Sequence, residues 1–166
     1  MTRFKARDIA LLALMAALMF ASQVAMAALP NIHLVALLII LTSLQFGWRA
    51  LCSVYVFVLL EGLMFGLSPW WIAYLYAWPL LVVVTVLFRN NTAPLFWAVI
   101  AGVHGLLFGA LCAIPQIFIL GAKGAVAWWL SGIPFDLAHC AGNFVLTLVL
   151  LKPLRKVFDK QAASSL

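Results

Sequence analysis

Glu61, His104, Asp136 and His139 stand inside apolar runs of this sequence. An ionisable side chain in such a run is expensive unless it meets a partner or a water-filled hollow. Asn143 belongs with them. Asp136, His139 and Asn143 fall three and four residues apart, so on a helix they form one polar stripe. The chemistry open to the set is hydrogen bonding to a small molecule, or a proton relay through Glu61 with His104 or His139. A closed structural network also suits them, with Asp136 bonded to His139 and Glu61 to a Tyr or Trp. Their common depth favours a shared cavity. Glu61 lies about 9 Å from the end of its apolar run, His104 sits near the middle of its own, and Asp136 lies close to an end.

Aromatic residues crowd the same half: Trp70, Trp71, Tyr74, Tyr76 and Trp78, with Trp128 and Trp129 further on. An interfacial belt accounts for Trp70 and Trp71. Tyr74 and Trp78 lie deeper and four residues apart on one face. Beside convergent polar groups they suit a pocket for a flat, partly polar molecule. No HExxH, GxSxG or phosphate-binding loop is present, and the three His residues are too few and too scattered for a metal site. We therefore expect no catalytic residue, no metal and no cofactor. Cys52, Cys112 and Cys140 lie in apolar runs without a CxxC pair and are expected to be buried packing residues.

The elements that must position these groups are set by composition. Of 166 residues, 67% are hydrophobic and 8% charged, against roughly 25% charged in soluble domains. Lipid must be the solvent for most of the chain, and there is room for one integral membrane domain, 1–166. Six apolar runs stand out at about 9–29, 34–46, 50–67, 70–88, 94–114 and 133–151. The second is short, and Pro79 interrupts the fourth. A Gly- and Trp-rich connection, 115–131, joins the last two. With the N-terminus inside, nine of the ten Lys and Arg residues fall on the cytoplasmic side and only Lys123 outside. This pattern predicts an all-α membrane protein of six transmembrane helices with both termini cytoplasmic. It also accounts for the net charge of +6 without nucleic acid. The first run resembles a signal peptide, but it is longer than a secretory apolar region and further spans follow, so we expect it to be retained.

Two runs carry small residues every fourth position: Ala13, Ala17, Ala21 and Ala25 in the first, and Ala101, Gly105, Gly109 and Ala113 in the fifth. Such stripes let helix backbones approach closely. Composition alone favours packing inside the chain's own bundle for both.

The short basic N-terminus, the alanine-repeat first run, six spans and the segment SGIPFDLAHCAGNF at 131–144 resemble the substrate-binding S components of energy-coupling factor (ECF) vitamin transporters. The resemblance covers the whole chain. It implies a non-enzymatic subunit of a bacterial plasma membrane importer that captures a vitamin or related micronutrient at its outer face. The partners it implies are a membrane T component and two ABC ATPases that hydrolyse the ATP. Onto this chain it maps a docking face at Ala13, Ala17 and Ala21, in place of internal packing. The substrate site is expected to draw on Asn31, His33, Glu61, Tyr74, Trp78, His104, Trp128, Asp136, His139 and Asn143. Two other functions fit the same residues: a non-catalytic membrane scaffold, and a proton-coupled secondary carrier using Glu61 and His139.

Overall fold

The Asp8 carboxylate accepts the Lys5 backbone N–H at 3.4 Å and starts the first helix, placing negative charge where a helix dipole favours it. The computed structural model describes residues 5–29 and 31–163, with side chains through 158. Arg3, Pro30 and the side chain of Lys160 lie outside the described residues. Helix α1, Ala6–Ala25, buries Leu12, Met15, Ala16 and Met19 and turns Ala13, Ala17, Ala21 and Ala25 outward. The alanine stripe is therefore not used inside the bundle.

Helix α2, Val35–Phe46, is apolar on every side, and every residue from Val35 to Ser43 is buried, as such a helix must be. Its 12 residues rise about 18 Å, less than the ~30 Å of a hydrocarbon core. Gly47 ends it with φ 59° and ψ −136°, a backbone geometry that favours glycine. A 3₁₀ turn, Gly47–Arg49, leads into α3, Ala50–Phe65. Arg49 reaches Asp8 at 3.3 Å, Ser53 donates to the Leu12 carbonyl at 2.7 Å, and Gln23 donates to Glu61 at 2.9 Å. These pairs are 41, 41 and 38 residues apart. A nearly constant separation means that α1 and α3 run side by side in the same direction, with α2 returning between them.

Helix α4, Pro69–Leu87, opens on a proline, whose missing N–H costs nothing there. Helix α5, Pro94–Ala163, is broken at Gly121, where φ is 69° and ψ 170°. Before and after that break the helix folds back on itself. Gly109 meets Asp136, Gly105 meets His139, and Ala101 meets Asn143, so position falls on one limb as it rises on the other. A Cβ at Gly105 would lie 2.8 Å from the His139 backbone, which explains the second small-residue stripe as internal packing. The connection expected at 115–131 is therefore helical apart from Gly121. Composition misleads there because Gly and Pro mark loops in water, whereas in an apolar medium an unpaired backbone is too costly to leave open.

The interior prolines show how that cost is met. Proline frees the carbonyl four residues before it. The carbonyl freed by Pro115 belongs to Leu111 and accepts the Tyr76 hydroxyl at 2.6 Å. The one freed by Pro79 belongs to Leu75 and accepts the Tyr55 hydroxyl at 3.4 Å.

Among the described residues the chain is all-helical, without a strand. Four helical stretches, Ala6–Ala25, Val35–Phe65, Pro69–Leu87 and Pro94–Phe158, are long and apolar enough to cross a membrane. Large apolar side chains cover the outside; Leu63 is 74% and Phe118 89% exposed. This is the make-up of a helical membrane protein. Among the cysteines only Cys112 is fully buried; Cys140 is partly exposed and Cys52 faces outward, which a small apolar side chain does without penalty in lipid.

Tyr76→Phe should cost about 1–3 kcal/mol, because it leaves the Leu111 carbonyl unpaired. In a Pro115→Ala background that cost should shrink, since the backbone N–H restored at position 115 takes over the carbonyl. Thermal unfolding of the four proteins in detergent measures the coupling. Equal costs in both backgrounds would show that the hydroxyl does not serve this carbonyl.

Candidate functional site

The C-terminal ends of α1 and α3 and the N-terminal end of α4 meet at one end of the bundle, opposite the Asp8–Arg49 pair. A cleft of about 410 Å³ opens between them. Gln23, Asn31, His33, Glu61, Trp70 and Tyr74 line it, with apolar walls from Met26, Ile32 and Phe65. The volume is in the range of small-molecule sites. Among the described residues, no Lys or Arg lines it.

Gln23 sits where α1 reaches this end. Its Nε2 donates to Glu61 Oε2 at 2.9 Å and to the Tyr74 hydroxyl at 3.4 Å, joining three helices through one amide. Glu61 is 1% exposed. Its second oxygen, Oε1, has no hydrogen-bond partner, and neither has Gln23 Oε1. Trp70 packs edge-on to Tyr74 with ring centroids 5.0 Å apart.

Residues 31–34 close one side of the cleft. Asn31 takes a left-handed backbone conformation, φ 58°, which Asn tolerates better than most residues. Its Nδ2 donates to the Phe135 carbonyl at 3.2 Å, and Ile32 packs where Gly142 has no side chain. The loop is thus strapped to the second limb of α5. His33 is largely enclosed, its Nδ1 has no partner, and burial pulls its imidazole down to about 4.

Behind His33 lies a packed aromatic and histidine cluster. His33 is 5.0 Å from His139 and 5.9 Å from Trp78, ring centre to ring centre. Trp78 touches His104 at 5.4 Å and Phe108 at 4.8 Å. His104 Nε2 donates to the Ala77 carbonyl at 3.0 Å. His139 is 1% exposed, and neither ring nitrogen has a hydrogen-bond partner. No group of three metal-ligating side chains occurs among the described residues.

The ten residues expected at the site therefore fall into separate places. Asn31, His33, Glu61 and Tyr74 line the cleft. Trp78, His104 and His139 form the cluster behind it. Asp136 accepts the Gly109 backbone N–H at 2.9 Å, and Asn143 donates to the Ala101 carbonyl at 3.3 Å. Both fasten the two limbs of α5 together. Trp128 is on the exposed outer part of the hairpin, away from the cleft. The polar stripe on the last run is thus split: His139 faces the aromatic cluster, while its neighbours on either side bind backbone. Gln23 was missed by sequence reasoning. An amide inside an otherwise apolar run, one turn before its end, is the signal that marks it.

Comparison with known proteins finds no matching family model, no matching curated protein and no matching solved structure.

The His33 shift makes stability depend on pH. The unfolded chain takes up a proton near the ordinary histidine value of 6.5, the folded chain only near 4. The unfolded state therefore binds more protons in that window, and stability falls as pH drops from 6.5 toward 4. His33→Gln should unfold with a shallower acid dependence across the same window in detergent melts. Parallel curves for parent and variant would place the acid sensitivity elsewhere.

Proposed function

We propose that this chain is the substrate-capture (S) subunit of an ECF-type, ATP-driven importer, holding a vitamin-like molecule in the cleft at its outer end. The observation that carries the reading is the cleft itself. Four of the expected site residues line it, and it opens at the end of the bundle remote from Arg49 and from the basic C-terminal limb of α5. With the positive-inside rule, that polarity makes the cleft extracellular and both termini cytoplasmic. The six limbs α1, α2, α3, α4 and the two arms of α5 are then six spans of a bacterial plasma membrane protein, the short α2 spanning only with its neighbours' help. The outward-facing Ala13, Ala17 and Ala21 support docking on a T component, because small side chains permit close, reversible helix contact. ATP hydrolysis belongs to the two partner ATPases.

The capture role is tested by mass spectrometry of small molecules that co-purify with the protein, and by uptake in cells that supply the T component and ATPases. Ala13→Leu and Ala17→Leu should abolish uptake while leaving the co-purified molecule in place. Joint loss of retention and uptake would remove the docking assignment, and absence of any retained molecule would remove the capture role.

The orientation has its own measurement. In a background lacking the native cysteines, a membrane-impermeant thiol reagent added to intact cells should label Lys123→Cys and spare Arg89→Cys. Labelling at position 89 alone would invert the topology.

A further inference from the structure

Glu61 brings a carboxylate to the cleft, and among the described residues no Lys or Arg lines it. Glu61, Gln23 and His33 line the same hollow, and Glu61 Oε1, Gln23 Oε1 and His33 Nδ1 are buried in its wall without a hydrogen-bond partner. Glu61 is 1% exposed, and an unpaired buried acceptor of this kind is costly until something donates to it. The Gln23 orientation is fixed by the carboxylate. Its Nε2 hydrogens are committed to Glu61 Oε2 and Tyr74, and turning the amide over would set oxygen against oxygen. The Asn31 amide is likewise committed, to the Phe135 carbonyl. No cation lines the cleft among the described residues, so an anionic group would meet the Glu61 carboxylate with nothing to offset it. Trp70, Tyr74 and Phe65 supply ring faces and edges on the wall.

Resting on the capture reading above, we propose that the cleft takes a flat ring compound with an N–H-rich edge, of the amidine or amino-heterocycle class. Its donors pair with Glu61 and Gln23, and its ring lies along Trp70 and Tyr74. A positive charge on that edge pairs with the Glu61 carboxylate; a free carboxylate or phosphate on the ligand's inner edge is excluded. Charge-assisted hydrogen bonds of this type are shorter and stronger than neutral ones, which gives Glu61 the largest share of the discrimination.

Three probes of one shape separate the possibilities: benzamidine, benzamide and benzoate, titrated into the purified protein in nanodiscs with tryptophan fluorescence as the readout. Benzamidine should bind tightest and benzoate weakest. Glu61→Gln should weaken benzamidine about tenfold and leave benzamide nearly unchanged, the benzamide curve showing that the variant is folded. Gln23→Ala should weaken both donors. Benzoate binding as well as benzamidine, or benzamidine binding untouched by Glu61→Gln, would overturn the donor-edge inference while leaving a small-molecule cleft in place. Binding of none of the three at millimolar concentration, together with no co-purified molecule, would overturn both readings.

Discussion

The Gln23–Glu61 hydrogen bond is the constraint around which this end of the molecule is organised. A carboxylate at membrane depth has to be given a donor, and α1 provides one from a single amide. That bond holds the ends of α1 and α3 in register, and Tyr74 brings α4 to the same point. One carboxylate oxygen is satisfied, and the other is buried beside the cleft without a donor.

Lower in the bundle the same accounting is settled by other means. Hydroxyls of Thr42, Ser43 and Thr85 return to carbonyls one turn earlier in their own helices. Tyrosines reach the carbonyls that Pro79 and Pro115 release. Asp136 and Asn143 bind main-chain groups of the opposing limb, where Gly105 and Gly109 let the two backbones approach. Many polar residues in this chain serve the backbone; Glu61 and Gln23 at the cleft and His139 behind it keep atoms without a partner.

How much of this was legible follows from the kind of signal each feature leaves. Apolar runs are long-range and cumulative, so the helices emerged at nearly their observed places; Ile9 to Leu29 became Ala6–Ala25, and Ala50 to Leu67 became Ala50–Phe65. The helical hairpin across 115–131 was hidden because Pro115 and Gly121 read as loop residues, and only the distant Tyr76 shows why the helix survives. At the site, position along the helix axis was readable and direction around the helix was not. Glu61, His33 and Asn31 share the cleft, whereas Asp136, at a similar depth, faces a glycine of its own hairpin. Gln23 carries no charge and so drew no attention, although its amide decides where Glu61 points. The alanine stripe gave its spacing away but not its facing, which the burial of Met15 and Met19 on the other side of α1 determines.

The complete enclosure of α2 separates two parts of the molecule that selection can treat differently. Nine consecutive positions there have no outward face, and a bulkier residue at any of them would overpack the bundle, so this segment sets the limits of the scaffold. The cleft instead draws its side chains from helix ends and a short strapped loop, each above that enclosed helix. Trp70, only partly buried at the N-terminal end of α4, can change with less effect on the packing beneath than any of those nine positions.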